Sequence, residues 1–370
     1  MCGAGSTQVG YSALLVATQS KVTITGHRLM PGRSPSACEV TLRARTAAPV
    51  LAVALVAAGL LVIAFFLPGL IRKVAVARTA SHAQPARLSR GCTRSPHRCG
   101  FPDATNSGVP AGARLRTVPG QVSSGPGWHY DRRGFVAVSG AGAVLSGLSL
   151  RCGVSVTASH VTIRDVKVVT SGQSAMGVAL QHVHDVTVEH STIAGTNTGS
   201  GRLMVGVKDV YGDATGTRIL DDDILQASTG VQIYQGLIQG NYIHHLGMIS
   251  TDHVNGVTTN GDTRPLTIRR NTILNSFAQT DAIGLFQDFG VVANVTIADN
   301  LLAGGGYAIY GGTGSKGRAS HIVVTGNRIS TRFFRRGGYW GPAVDFADQA
   351  PGDVWSGNVW DNTGRAVPAP

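Results

Sequence analysis

The strongest constraint on this chain is a phrase it keeps repeating: "LTIRRNTI" at Leu266–Ile273, "VTIADNLL" at Val295–Leu302 and "IVVTGNRI" at Ile322–Ile329. Asn stays at one place while its neighbours drift. Taking the central apolar residue of each phrase as an anchor gives Leu145, Ile163, Val188, Ile219, Ile238, Ile268, Ile297, Val324 and Trp355. Five places beyond stand Leu150, Val168, Ile193, Ile224, Ile243, Ile273, Leu302, Ile329 and Trp360, all apolar. Three places beyond the last five anchors stand Asn241, Asn271, Asn300, Asn327 and Asn358.

Anchor spacing runs from 18 to 31 residues, so the repeat is loose in length and strict in its short phrase, the mark of a solenoid whose turns carry variable loops. Within a phrase, Val295 and Ile297 share one face and Thr296 the other, which is strand period and not helix period. No helical pattern of useful length separates the phrases. Parallel strands joined without helices must be joined by further strands and bends, so each unit becomes one coil of a parallel β-helix. The expectation is an all-β solenoid of about nine coils over residues 99–370, eight strand steps or roughly 38 Å tall. Asn recurs, on this reading, because one inward bend per coil needs a residue that tolerates the left-handed region and whose amide bonds to the same group in adjacent coils.

A second strand follows in most coils: "GVAL" at Gly177, "GVKD" at Gly206, "GVQI" at Gly230, "GVTT" at Gly256, "AIGL" at Ala282, "AIYG" at Ala308 and "AVDF" at Ala343. With each Val or Ile facing in, the next residue faces out, which stacks Ala179, Lys208, Gln232, Thr258, Gly284, Tyr310 and Asp345 on one outer face. Gln181, Tyr234, Asn260 and Phe286 flank that row two residues on.

Composition agrees with such a fold: 49 Gly and only 6% aromatic residues suit many tight bends and small stacked side chains, and 43% hydrophobic with 14% charged residues argues against disorder. The formal charge of +12 is segregated along the chain. Residues 1–99 carry twelve Lys and Arg against Glu39 alone, whereas residues 100–370 carry twenty against nineteen acidic residues. The solenoid region therefore has no net charge from which to build a basic stripe, and nucleic acid is excluded as its partner.

Between Arg45 and Arg72 lie 26 residues without a charge, long enough at 1.5 Å per residue to span a bilayer core of roughly 30 Å and too long for a typical signal-peptide core. The expected order is an aperiodic N-terminal segment (1–46, with Met30 a candidate start), a single transmembrane helix (47–71), a Pro/Ser/Arg-rich linker (72–98) and the β-helix. Flanking Arg and Lys lean towards a cytoplasmic C-terminal part. Cys92 and Cys99 point the other way, since they stand close enough to form a small disulfide loop in an oxidising space. Cys152 reads as a small buried hydrophobe.

"CGFPDATNSGVPAGARL" (Cys99–Leu115), the Asn-marked coils, "TDHVNGVTTNG" (Thr251–Gly261) and "VWSGNVWDNTGRAVPAP" (Val354–Pro370) resemble a family of secreted or anchored actinobacterial right-handed parallel β-helix repeat proteins. The resemblance covers residues 99–370. It implies a right-handed, pectate-lyase-like coil and a domain outside the cell, at the plasma membrane, with polysaccharide or cell-wall glycan as the ligand class. It implies no particular activity.

Two chemistries are open. A glycoside hydrolase needs two carboxyls facing each other across the scissile bond, and Asp252 with Asp281, or Asp345 with Asp348, are the candidate pairs. A polysaccharide lyase needs a base and a group that neutralises a uronate, such as Ca²⁺, Arg or Asn; His253, beside Asp252 with Asn255 and Asn260 nearby, is the best local cluster. For each, an Asp or His beside Gly and Asn in a bend also reads as a turn cap. Lys208, Gln232, Tyr234, Asn260, Tyr310 and Asp345 are the expected glycan-binding row. His182, His184 and His190 raise a zinc reading that lacks a fourth ligand, and Asp221–Asp223 raise a Ca²⁺ reading, although Asp222 falls at the bend position held elsewhere by Asn. Arg332, Arg335 and Arg336 beside Phe333, Phe334, Tyr339 and Trp340 read either as a ligand-contacting loop or as a cover for the open C-terminal end of the stack.

Overall fold

Parallel pairing joins all nine anchors in register, from Leu145 opposite Ile163 to Val324 opposite Trp355. The row five residues on is joined in the same way, from Leu150 opposite Val168 to Ile329 opposite Trp360. A third ladder runs through Val136, Val154, Val178, Val207, Val231, Val257, Ile283, Ile309 and Ala343. The fold is therefore all-β, a parallel solenoid whose nine rungs span about eight turns. The computed structural model describes residues 91–370, which lie within the compact unit Ala80–Pro370. The expected segment 1–46, the expected membrane span 47–71 and most of the expected linker 72–98 lie outside the described residues. Among the described residues no helix is long and apolar enough to cross a membrane. The helical pieces described are two short 3-10 turns, Cys92–Arg94 and Pro96–Cys99.

The first two ladders belong to one 17-stranded sheet, because the strands Val144–Leu150 and Thr162–Val169 run unbroken across the corner between them. In the next coil that corner splits the strand into Thr187–Glu189 and Thr192–Ala194. The third ladder forms a separate 11-stranded sheet. Side chains of the three rows meet inside and are almost entirely sequestered. Branched Val and Ile suit a pleated interior, and each fully buried one contributes about 1.5–3 kcal/mol. The "GV" phrases of the third sheet have a steric reason. A Cβ on Gly256 would lie 2.2 Å from Ile273 Cγ2 and 2.4 Å from the Ala282 carbonyl, so the backbone passes too close to the second row for a side chain.

At the corner, the Asn residues form one continuous hydrogen-bonded column. Nδ2 of Asn241, Asn271, Asn300 and Asn327 each donates at 2.9 Å to Oδ1 of the next, ending on Asn358. The backbone amides of the same four residues donate to the same oxygens. Every Nδ2 also donates to the carbonyl of the anchor one coil back, from Ile219 to Val324. The column continues beyond the asparagines, with Asp222 accepting from Ser191 N at 2.7 Å and Ser191 Oγ accepting from Val166 N at 3.2 Å. One expectation needs correcting. The left-handed residue at this corner is the one before the Asn: Asp221, Arg270 and Asp299 have φ of 54–55°, and Gly240, Gly326 and Gly357 take the same region. The Asn residues are held there for their amides alone.

Both ends of the stack are closed. Antiparallel strands Ser124–Gly125, Trp128–Asp131 and Phe135–Val138 finish the N-terminal end. At the C-terminal end the tail folds back, with Trp355 Nε1 donating to the Val367 carbonyl at 2.8 Å and Val367 N to that of Asn358 at 2.9 Å. Phe334, Tyr339 and Trp340 stack edge to face on one another, and Tyr339 and Trp340 remain about half exposed.

The segment before the first coil forms a strap. Gly91 N bonds to the Asp361 carbonyl of the last coil, Gly108 N to that of Asp221 midway, and Arg116–Val118 pairs with Leu148–Leu150 in the first. Cys92 and Cys99 are disulfide-bonded within it, and Cys152 is buried, its thiol pKa pushed up by desolvation, as a packing residue would be.

Candidate functional site

The outer face of the third sheet carries two register-aligned rows. One is the expected row, in which Ala179, Lys208, Gln232, Thr258, Gly284 and Tyr310 are successive partners. The partner of Tyr310 is Val344, and Asp345 lies one residue beyond, exposed at a left-handed bend with φ 58°. The expected placement of Asp345 in the row is thus wrong by one residue: in "AVDF" it is Ala343, not Val344, that pairs with the inward Ile309. The second row, Thr229, Asn255, Asp281 and Tyr307, stands two residues before each inward Val or Ile. Sequence periodicity misses it because the Gly or Ala between also faces in, so strict alternation breaks at that point.

Between the rows lies a cleft of about 340 Å³ lined by Thr229, Gln232, His253, Asn255, Thr258, Asn260, Thr280, Phe286 and Asp288. Of the expected residues, Gln232, Asn260 and His253 meet here. The His253 ring is exposed at the mouth, while its carbonyl accepts from Ser228 Oγ and Asn255 Nδ2. Lys208 stands one rung away and donates to Gln232 Oε1 at 2.8 Å; burial pushes the pKa of its ammonium down, against the pull of Asp209. Tyr310 sits on the far rim, its ring 5.2 Å from that of Phe286, and burial chiefly, then the charge of Asp281, raises its pKa. Tyr234 packs over Gly212 and beside Phe289 and does not line the cleft.

Several polar atoms around this cleft are buried without a hydrogen-bond partner: Asn255 Oδ1, Thr280 Oγ1 and both carboxyl oxygens of Asp281. The Asp281 carboxyl fills the space left by the missing side chain of Gly284, where a Cβ would come within 2.4 Å of both Asp281 Oδ2 and Phe286. Burial pushes the Asp281 pKa well above its ordinary value.

The Asp252–Asp281 pair does not open onto a shared bond, since each carboxyl is taken up locally. Asp252 receives Arg202 through Nε and Nη2, both at 2.6 Å, and the Ile249 amide at 2.9 Å. Burial raises the pKa of this carboxyl, but those donors outweigh it and hold it below the usual range. It is a nearly buried ion pair that ties the Asp252 loop to the coil of Arg202. Asp345 and Asp348 lie exposed in the bend after Gly341–Val344, outside the cleft lining.

The three aspartates of the Ca²⁺ reading also diverge, with Asp222 in the Asn column and Asp223 2.9 Å from His244 Nε2. Nor do His182, His184 and His190 converge. His182 stacks on Tyr211 and pairs with Asp213 at 2.5 Å, whereas His184 meets His160 and Asp185. No family model, curated protein or solved structure matches the chain.

Proposed function

We propose that the solenoid binds an extended glycan along the outer face of its third sheet and does not cleave it. The observation that carries this reading is the cleft itself: amides of Gln232, Asn255 and Asn260, hydroxyls of Thr229, Thr258 and Thr280, and the ring of Phe286 line one groove across successive coils. Aligned amides and hydroxyls match the hydroxyl pattern of a sugar, and an aromatic ring matches its apolar face. Binding without cleavage is favoured because Asp252 is neutralised by Arg202 and Asp281 is sealed beneath Phe286, so these two carboxyls do not face a common bond.

The coil is proposed to be right-handed and pectate-lyase-like, the sense taken by nearly all parallel crossovers. The domain is proposed to lie outside the cell, tethered by residues 47–71, and the Cys92–Cys99 disulfide supports an oxidising compartment.

The test is retention of the full chain on a panel of acidic and neutral polysaccharides, with absorbance of unsaturated products and new reducing ends followed in parallel. Retention without products is expected. Asn260→Ala should weaken it about fivefold to tenfold, the worth of one hydrogen bond, while Thr296→Ala on the first sheet leaves it unchanged. Equal retention of both variants with the native chain would remove the groove from the proposal; product formation would remove its non-cleaving part.

A further inference from the structure

Away from the cleft, at the corner where the chain enters the first sheet, two successive coils bring His160, His184 and Asp185 together. Thr162 pairs with Thr187, so His160 and Asp185 occupy the same bend position one coil apart, both in the left-handed region at φ 60° and 55°. His184 precedes Asp185 in the lower coil. The Asp185 Oδ2 lies 3.1 Å from His184 Nδ1 and 3.4 Å from His160 Nδ1, and the two rings meet edge to face with centroids 4.6 Å apart.

We propose that these three side chains form a binding site for a divalent transition-metal ion of the zinc type. Zn²⁺ takes imidazole nitrogen and carboxylate oxygen at about 2.0–2.2 Å, which in tetrahedral geometry puts neighbouring ligand atoms about 3.4 Å apart. The His160–Asp185 edge at 3.4 Å already has that length, the His184–Asp185 edge at 3.1 Å is close to it, and all three ligand atoms lie within 4.8 Å of one another. The backbone holds them ready. His160 N donates to the His184 carbonyl at 2.9 Å, Asp185 N to that of Thr215 at 2.7 Å, and His184 N to Ser159 Oγ at 3.0 Å. Asp185 Oδ1 lies over Gly216, where a Cβ would stand 2.3 Å away, so the bare glycine seats the carboxylate and turns Oδ2 towards the rings.

All three side chains are more than half exposed, so a fourth position faces solvent and takes water or a group from a partner. Two imidazoles favour Zn²⁺, Co²⁺ or Ni²⁺ over Ca²⁺ and Mg²⁺, which prefer all-oxygen shells. His182 is already engaged with Asp213 and Tyr211, which is why the trio is this one and not the run of histidines that the sequence offers.

The experiment is equilibrium dialysis of the chelator-stripped full chain against Zn²⁺, with Co²⁺ absorbance as the geometric readout. To separate this site from any other uptake by the chain, the reading is a difference between variants. His184→Ala and Asp185→Asn should each lose one equivalent, or at least tenfold in its affinity, and the matching fraction of the tetrahedral Co²⁺ bands. His190→Ala, at another corner, should keep both. Asp185→Asn preserves a residue tolerant of the left-handed backbone, so it reports on the ligand even where His184→Ala disturbs the bend. Unchanged stoichiometry and affinity in Asp185→Asn, an equal loss in His190→Ala, or displacement of the equivalent by a hundredfold excess of Ca²⁺ would each overturn the proposal.

Discussion

A carboxyl in a column of amides is a mismatch, and Asp222 is the residue that makes it. Its Oδ1 does what every Asn oxygen in the column does, accepting from the residue one coil earlier, Ser191 N. Its Oδ2 stands where each Asn places an amide nitrogen, and it is buried with no partner. Burial pushes the Asp222 pKa well above 3.8, and Asp221, Glu189 and Asp223 push it further. A raised acid pKa means that the folded state holds a proton that the unfolded chain releases above about pH 4, so this site's contribution to stability is greatest in acid. It falls as pH rises towards the folded pKa. Asp222→Asn puts an amide donor at that place and removes the proton linkage. It should raise stability by about 1–3 kcal/mol, the cost of an unsatisfied buried polar atom, and remove the fall in stability that the acid brings as pH rises above about 4. Denaturant unfolding of both chains at pH 5 and at pH 8 measures it. An unchanged slope in the variant would show that Asp222 carries no extra proton in the fold.

At the scale of the element, the column acts as a spine whose middle is worth more than its end. Asn300 donates to Asn327 Oδ1 and the Ile268 carbonyl and accepts from both nitrogens of Asn271. Asn358 accepts from Asn327 and donates only to the Val324 carbonyl. Asn300→Ala should cost roughly 3–5 kcal/mol and Asn358→Ala about half of that, by unfolding midpoint, since a solenoid's stability is a sum over neighbouring coils. Equal costs would mean that the rungs act independently of their neighbours. The spine is also what made the fold legible. Anchor, Asn and the apolar residue five places on are set by inward packing and by one repeated hydrogen bond, both local to the phrase, and all nine anchors fell into register. The site was less legible because its members stand at irregularities. Asp345 is displaced by one residue where the small Ala343 takes the inward place, the Asp281 row hides behind a doubled inward position, and Asp252 meets Arg202 from a loop 50 residues away. Likewise the zinc reading of His182, His184 and His190 took them as one group, but His182 and His190 are left-handed bend residues and His182 is engaged with Asp213.

At the scale of the molecule, the strap makes the last coil the place where the described chain begins as well as ends. The charged part of its hold there is one buried carboxylate: Asp361 accepts from Cys92 N at 3.1 Å, Thr93 N at 3.3 Å and Arg328 Nε at 2.9 Å, beside the bonds of Thr93 to Ser330 and Arg332. The coils themselves are joined by parallel ladders and the Asn column, none of which passes through residues 91–99. Asp361→Asn takes the countercharge from a guanidinium that is almost fully buried, a loss of roughly 3–5 kcal/mol. That loss falls first on the strap, because local opening follows the weakest cooperative unit. Trypsin should then cut after Arg94 and Arg98 at least tenfold faster than in the native chain, while the fragment from Arg116 onward keeps its β-sheet circular dichroism. Reduction of Cys92–Cys99, whose partners are seven residues apart, should act in the same direction with about 2–3 kcal/mol of lost loop constraint. If instead the coils are digested together with the strap, the last coil depends on it for closure, and strap and solenoid unfold as one unit.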